Sequence, residues 1–382
     1  MTYARARLWL GISGVGFHVV VASSLLWFGV PHRLLTRLSS PVAIALTLIC
    51  FIGLSIPSDV LGGYYLPRLH GRTSIGFATF LTAWLRGVLS QAIVLNICAA
   101  ALLEADRFGG HWGGVACFAL LMLVLLLGQS IFARMVGGLT ISSWLPAGNE
   151  SRNAIKLPKT ASPILVQSLV FQSTDPGFVG GLVGLPGRER LILPAAWEND
   201  LTPDVLLTEL IRRQGAIVTG SRARGVLVAI AWNLVGFMVS SRMPGSSLAD
   251  AAGLVQCALW FTLWSFVGLL TLPSINRPGV IEADRFALDQ GIPASAIAAA
   301  ISRLDGLQDD EPTRTRWIER IFHPIPSVEH RIAALGDANA RQGAWQCART
   351  TLYLSWACFG FLSRAVHCNA GRPELWVLFP GD

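Results

Sequence analysis

The sequence predicts an α-helical polytopic membrane protein of six or seven spans that carries an α+β domain built from two soluble stretches. Three observations predict this class. Of the 382 residues, 52% are hydrophobic and only 14% are charged, too apolar a balance for an ordinary soluble domain. Several apolar runs reach the roughly 20 residues that a helix needs to cross a bilayer. Two long polar stretches, residues 135–224 and 273–346, interrupt those runs and carry strand-like and helix-like patterns of their own. The net charge of +7 rests almost wholly on arginine. No basic patch is interleaved with exposed aromatics, so the charge reads as a positive-inside bias rather than a nucleic-acid footprint.

Residues 1–134 hold four runs. The first, 8–30, follows Arg5 and Arg7. It is longer than a signal-peptide core and other spans follow it, so it reads as an uncleaved first span. The second, 42–57, ends in the Gly- and Pro-broken IPSDVLGGYYLPRLHGRTSIG. The third and fourth, 84–103 and 112–134, are joined by a link holding Glu104, Asp106 and His111. Charges at helix ends need no partner, so this link reads as a solvated turn.

Residues 135–224 contain ILVQSLVF (Ile164–Phe171) and RLILP (Arg190–Pro194), two short strands flanking the glycine-rich FVGGLVGLPGRE. No G-K-[ST] follows the glycines and no helix opens there, which excludes a phosphate loop. LTPDVLLTELIRRQGA (Leu201–Ala216) then begins as a helix. Thr202 suits the N-cap, Pro203 the first helical position and Asp204 the positive end of the dipole. Residues 225–272 supply two more spans, at about 225–241 and 251–272. Asn233, a polar group in hydrocarbon, is expected to face another helix.

In 273–346, SINRPGVIEADRFALDQG (Ser274–Gly291) is followed by a helix-like ASAIAAAISRLDGL, a charged connector QDDEPTRTRWIER, and FHPIPSVEHRIAAL. Residues 347–382 hold the last apolar run, about 350–366. Arg364 interrupts it, so it either spans the membrane or lies along its surface. The side-count of arginines places Arg5, Arg7, Arg68, Arg72 and Arg134 with both soluble stretches in the cytoplasm, and Arg33, Arg37, Arg107 and Arg242 opposite. The cysteines form no C-x-x-C pair and mostly sit in apolar runs, where a thiol behaves as a small hydrophobe.

Taken in order, these segments resemble the integral-membrane zinc metallopeptidases of the CAAX-prenyl-protease and heat-shock-protease type. In that family a helix carries H-E-x-x-H, whose histidines bind zinc while the glutamate activates water. A later helix carries E-x-x-A-D, whose glutamate is the third ligand. The resemblance implies a gluzincin-like cytoplasmic domain, in which the two apolar strands around the glycine-rich turn match the edge hairpin beside the active-site helix. It sets the first motif on Arg212-Arg213-Gln214-Gly215-Ala216 and the third-ligand place on Val280. Glu282–Asp284 supplies the E-A-D, and Asp284 holds the place of the aspartate that orients a zinc histidine. His323, Pro324, Ser327 and Arg331 resemble the family's downstream H-P-S…R-I-x-x-L element, with His323 and Arg331 as structural remnants. A second register lays Glu209 over the motif glutamate. The first better preserves the spacing from the helix start.

Arg212, Ala216 and Val280 offer zinc no donor. The remaining donors of the second soluble stretch are Glu282, Asp284, His323 and His330, and Pro324 and Pro326 oppose one continuous helix carrying both histidines. The resemblance therefore implies a divergent homologue, a pseudopeptidase without catalysis or cofactor that acts as a binding or regulatory module. The alternative is an active zinc metalloendopeptidase with unusual ligands, cleaving membrane or membrane-proximal proteins. Expected partners are the lipid bilayer and membrane proteins or unfolded segments, with no nucleic acid. The expected setting is a bacterial cytoplasmic membrane. Without zinc, Asp284 needs a new partner. Arg212 is expected to form a salt bridge with it, with Ala216 and Val280 filling the remaining volume.

Overall fold

The computed structural model describes residues 1–141, 168–308, 310–337 and 341–378. Ile164–Gln167, the first half of the expected strand, lie outside the described residues. Among those described, five helices are long and apolar enough to cross a membrane. They are α1 (Tyr3–Trp27), α2 (Ser40–Leu69), α3 (Phe77–Leu127), and the two labelled α6 and α7 below.

Helix α3 runs for 51 residues, about 77 Å at 1.5 Å per residue, more than twice the thickness of a hydrocarbon core. It is not straight. Gly110 has φ 59° and ψ −161°, a conformation essentially confined to glycine, and the chain folds back there. Beyond the second arm, α4 (Gln129–Gly137) returns beside the start of the first. Arg86 donates to the Gly137 carbonyl at 2.9 Å and Ser90 to the Met135 carbonyl at 3.2 Å. The third and fourth apolar runs are thus two arms of one helical hairpin.

Four strands form one sheet in the order β1-β2-β4-β3: β1 (Thr140–Ile141), β2 (Leu169–Gln172), β3 (Gly181–Val183) and β4 (Arg190–Pro194). The expected hairpin of the two apolar strands is corrected. β2 and β4 pair in parallel, Leu169 opposite Ile192, whereas the antiparallel partner of β4 is β3, from the glycine-rich stretch. Gly184 and Gly187, at φ 93° and 81°, let that stretch reverse tightly enough to lay β3 against β4.

Helix α5 (Pro203–Val218) follows the sheet. α6 (Ser221–Ser240) and α7 (Ala251–Asp289) come next. Span and soluble helix, expected as separate pieces around 272, form one continuous helix in α7 despite Pro273 and Pro278. Outside donors also reach carbonyls of this stretch. Ala344 N–H bonds the Ile275 carbonyl at 3.0 Å, and the Cys347 thiol donates to the Leu272 carbonyl at 3.6 Å. Then come α8 (Ala294–Gln308), α9 (Arg316–Phe322) and α10 (Val328–Ala334). α5 is sandwiched. Leu206, Leu210 and Ala216 pack with Val170, Val179, Leu191 and Leu193 of the sheet layer. Ile211 packs with Ile297 and Ile301 of α8 and Val328 of α10.

This α/β layer sits at one end of the helices. Arg5 reaches Glu311 at 3.4 Å, and Arg72 reaches the Gly306 carbonyl at 2.8 Å and Asp310 at 3.0 Å. The other end gathers His32, 2.7 Å from the Gly245 carbonyl, and Arg242 over the Trp112 ring. Arg5 and Arg72 lie with the layer and Arg242 opposite, as the charge count arranges them.

The last apolar run is neither a span nor a surface segment. It forms an eight-residue helix, α11 (Cys347–Leu354), then a 3-10 turn at Ser355–Cys358 and a reversal with positive φ at Phe359 and Gly360. The whole segment is buried. Arg364 explains the break. It forms an ion pair with Asp59 of α2, which also accepts from Trp84 Nε1 and from the Gly371 N–H, both at 2.9 Å. A buried guanidinium needs such a counter-charge, and a straight lipid-facing helix offers none.

Candidate functional site

The site expected from the sequence lies where α5 crosses α7. α5 forms because Thr202 and Pro203 set its start and an apolar stripe runs on each of two faces, one per neighbouring layer. Gly215 allows the approach: a Cβ there would lie 2.8 Å from the Phe286 ring.

At the crossing, Arg212 Nε donates to Asp284 Oδ1 at 2.6 Å. Arg331, from α10, holds the same carboxylate with two bonds, Nε to Oδ2 at 2.8 Å and Nη2 to Oδ1 at 2.7 Å. Arg212 also donates through Nη1 to Glu209, one turn earlier on its own helix. All four side chains are buried, and Asp284 has 0% exposure. Arg212, Arg331, Glu209 and Asp284 thus belong to one buried ionic network. The pairing of Arg212 with Asp284 follows the expectation. The part taken by Arg331 and Glu209 does not: Arg331 was expected as a structural remnant, and Glu209 only in the alternative register. The i, i+3 spacing of Glu209 and Arg212 was the available signal.

The other positions separate. Arg213 turns to the sheet, donating to the Val179 carbonyl at 2.6 Å and lying over the Trp197 ring at 4.7 Å. Ala216 and Val280 are both fully buried and share an apolar cluster with Trp345. Glu282, two residues before Asp284, faces away, where Arg224 Nη2 meets its oxygens at 2.9 and 2.6 Å. His330 Nδ1 lies 2.6 Å from Glu319 Oε1, and the Ser327 N–H donates to Glu319 Oε2 at 3.2 Å. Burial pushes the Glu319 carboxyl up, but these bonds outweigh it and hold it below the usual glutamate value. His323 is buried at the end of α9, with its ring against that of His367.

The residues do not fit a zinc ion. Arg212, Ala216 and Val280 are no donors, while Asp284 and Glu209 are held by guanidinium groups. At about 4 Å and an effective dielectric near 20, one guanidinium opposes a divalent cation by about 8 kcal/mol, twice the unit-charge figure. Among the described residues no group of three or more His, Cys, Asp or Glu is placed to hold a metal.

No protein-family model and no curated protein matches the sequence. In structure, the chain is similar to a crystal structure of Ste24p from S. mikatae. The TM-score is 0.61 at 13% identity, over 82% of this chain and 79% of that one. With its long apolar helices, the chain is an integral membrane protein with a Ste24p-like fold.

Proposed function

We propose that this chain is a membrane-embedded pseudopeptidase: a metallopeptidase-type frame without metal chemistry, which binds membrane proteins or unfolded segments. The observation that carries the reading is the buried network of Arg212, Asp284, Arg331 and Glu209 at the place where the resemblance sets the catalytic centre. The fold shared with Ste24p, a CAAX prenyl protease, supports the frame. The arginines support the loss of the metal. The test is zinc uptake and peptide cleavage by the purified full chain in detergent. The expected result is no stoichiometric zinc after dialysis and no cleavage that a chelator abolishes and zinc restores. Cleavage with that dependence would put the active-peptidase reading in its place.

In the orientation that belongs to this reading, the N-terminus and α/β layer face the cytoplasm of a bacterium, and α1, α2, both arms of α3, α6 and α7 make six spans. The arginine distribution supports it. Reporter fusions after Glu150 and after Gln308 are expected to report the same, cytoplasmic side. Opposite sides would defeat the topology.

A further inference from the structure

Helix α9 packs against α7 just beyond the apolar run of α7, in the layer where the chain leaves the membrane. Its sequence, RWIERIF, sets Arg316 and Arg320 one turn apart on a common face. Trp317 beside them is 73% exposed, and Ile318 is exposed as well. Arginine with exposed tryptophan at the end of a span is the composition of a membrane–water boundary, where an amphipathic ring and a long cationic side chain both reach headgroups.

Between α7, α9 and α10 opens a polar cleft of about 940 Å³. Five arginines, Arg277, Arg314, Arg316, Arg320 and Arg341, outnumber its three carboxylates. One of those, Glu319, is already committed to His330 and Ser327. Arg314 is neutralised by Asp305 at 3.4 Å and Glu311 at 3.6 Å. Arg277, half-buried, donates to the Glu319 carbonyl at 2.9 Å. Such a surplus of positive charge around a concave space is relieved by an anion with several acceptor oxygens, and guanidinium forks match phosphate oxygens in geometry.

We propose that this cleft binds a phosphate-bearing anion, presented by an anionic phospholipid headgroup or by a free phosphate. The cleft is large enough for a glycerophosphate headgroup. The inference needs the membrane embedding but not the loss of zinc, so an active peptidase would leave it standing.

The experiment titrates the detergent-purified full chain with dihexanoyl phosphatidylglycerol, dihexanoyl phosphatidylcholine and inorganic phosphate, reading binding by thermophoresis. Phosphatidylglycerol is expected to bind saturably and phosphatidylcholine not. At about fivefold per arginine near a charged surface, the Arg316→Gln/Arg320→Gln double variant should bind at least tenfold more weakly. Both side chains are exposed, so its thermal midpoint should match that of the parent. Phosphate that fails to displace the lipid assigns the bilayer as source, and phosphate that binds equally well assigns a soluble anion. Equal binding of the two lipids, or a double variant that titrates like the parent, overturns the proposal.

Discussion

Asp284 has no exposure and three guanidinium bonds from two arginines, so its removal is felt by both. Truncating one partner of a buried ion pair leaves charge without compensation and typically costs about 3–5 kcal/mol. Asp284→Ala is therefore expected to lower stability by that amount in thermal or denaturant unfolding in detergent. Asp284→Ala combined with Arg331→Met, which removes the guanidinium that gave Asp284 two bonds and leaves Arg212 with Glu209, is expected to recover part of the loss. A double variant no more stable than the single one would show that Arg331 draws its stability from elsewhere. Ala216 and Val280 contribute differently. They fill volume, so Val280→Ala is expected to cost about 1–3 kcal/mol through a cavity beside Trp345.

Between elements, glycines let backbones approach closely. The chain at 343–345 threads between α6 and α7. A Cβ on Gly225 would lie 2.0 Å from the Trp345 carbonyl oxygen, and one on Gly279 2.6 Å from the Trp345 nitrogen. Backbone atoms cannot move aside as a side-chain tip does. Gly225→Ala and Gly279→Ala are each expected to destabilise by about 1–3 kcal/mol or more, read as a lower thermal midpoint. Gly306, in α8, has nothing within 4 Å of its hypothetical Cβ. Gly306→Ala is expected to stabilise by about 0.5–1 kcal/mol on helix propensity alone. If all three variants moved in the same direction, packing against 343–345 would not be the cause.

Across the whole molecule, the C-terminal segment is tied to the sheet layer by a carboxylate that acid can release. Arg372 forms two bonds to Asp175, whose Oδ1 also accepts from the Gly177 N–H at 2.8 Å. Burial pushes the Asp175 carboxyl up, yet the Arg372 charge and bonds outweigh it and hold it below the ordinary aspartate value of 3.8. With the folded value depressed, the unfolded chain binds the proton first as pH falls. The stabilisation is therefore fully present above about pH 4, and it fades below that as pH falls through the folded value. Unfolding midpoints between pH 4 and pH 7 should show no pH dependence from this pair, whose full stabilisation is present throughout that range. Below pH 4 the parent should lose stability more steeply than Asp175→Asn, which lacks the titrating group. Identical acid limbs would sink this assignment.

Composition and periodicity alone determined the membrane class, the α1 and α2 runs, the β4 strand at Arg190–Pro194, and the start of α5 at Thr202–Pro203. These depend on local chemistry: twenty apolar residues, a strand-length apolar run, a cap and a proline. The pairing of Arg212 with Asp284 came from the resemblance, which set the two on the places of a zinc histidine and the aspartate that orients it; a carboxylate buried there without zinc must find a cation. Tertiary structure decided the rest. That β2 runs parallel to β4 depends on which edge the glycine-rich stretch reaches after reversing, and that the third and fourth runs fold into one hairpin depends on Gly110. That Arg331 completes the network depends on how α10 packs, 47 residues from Asp284. The last run reads as a span in hydropathy because its cost is hidden. Arg364 is buried beside Asp59, 305 residues earlier, which supplies its counter-charge. Apolar periodicity is a local property, whereas the partner of a buried charge is chosen by the fold.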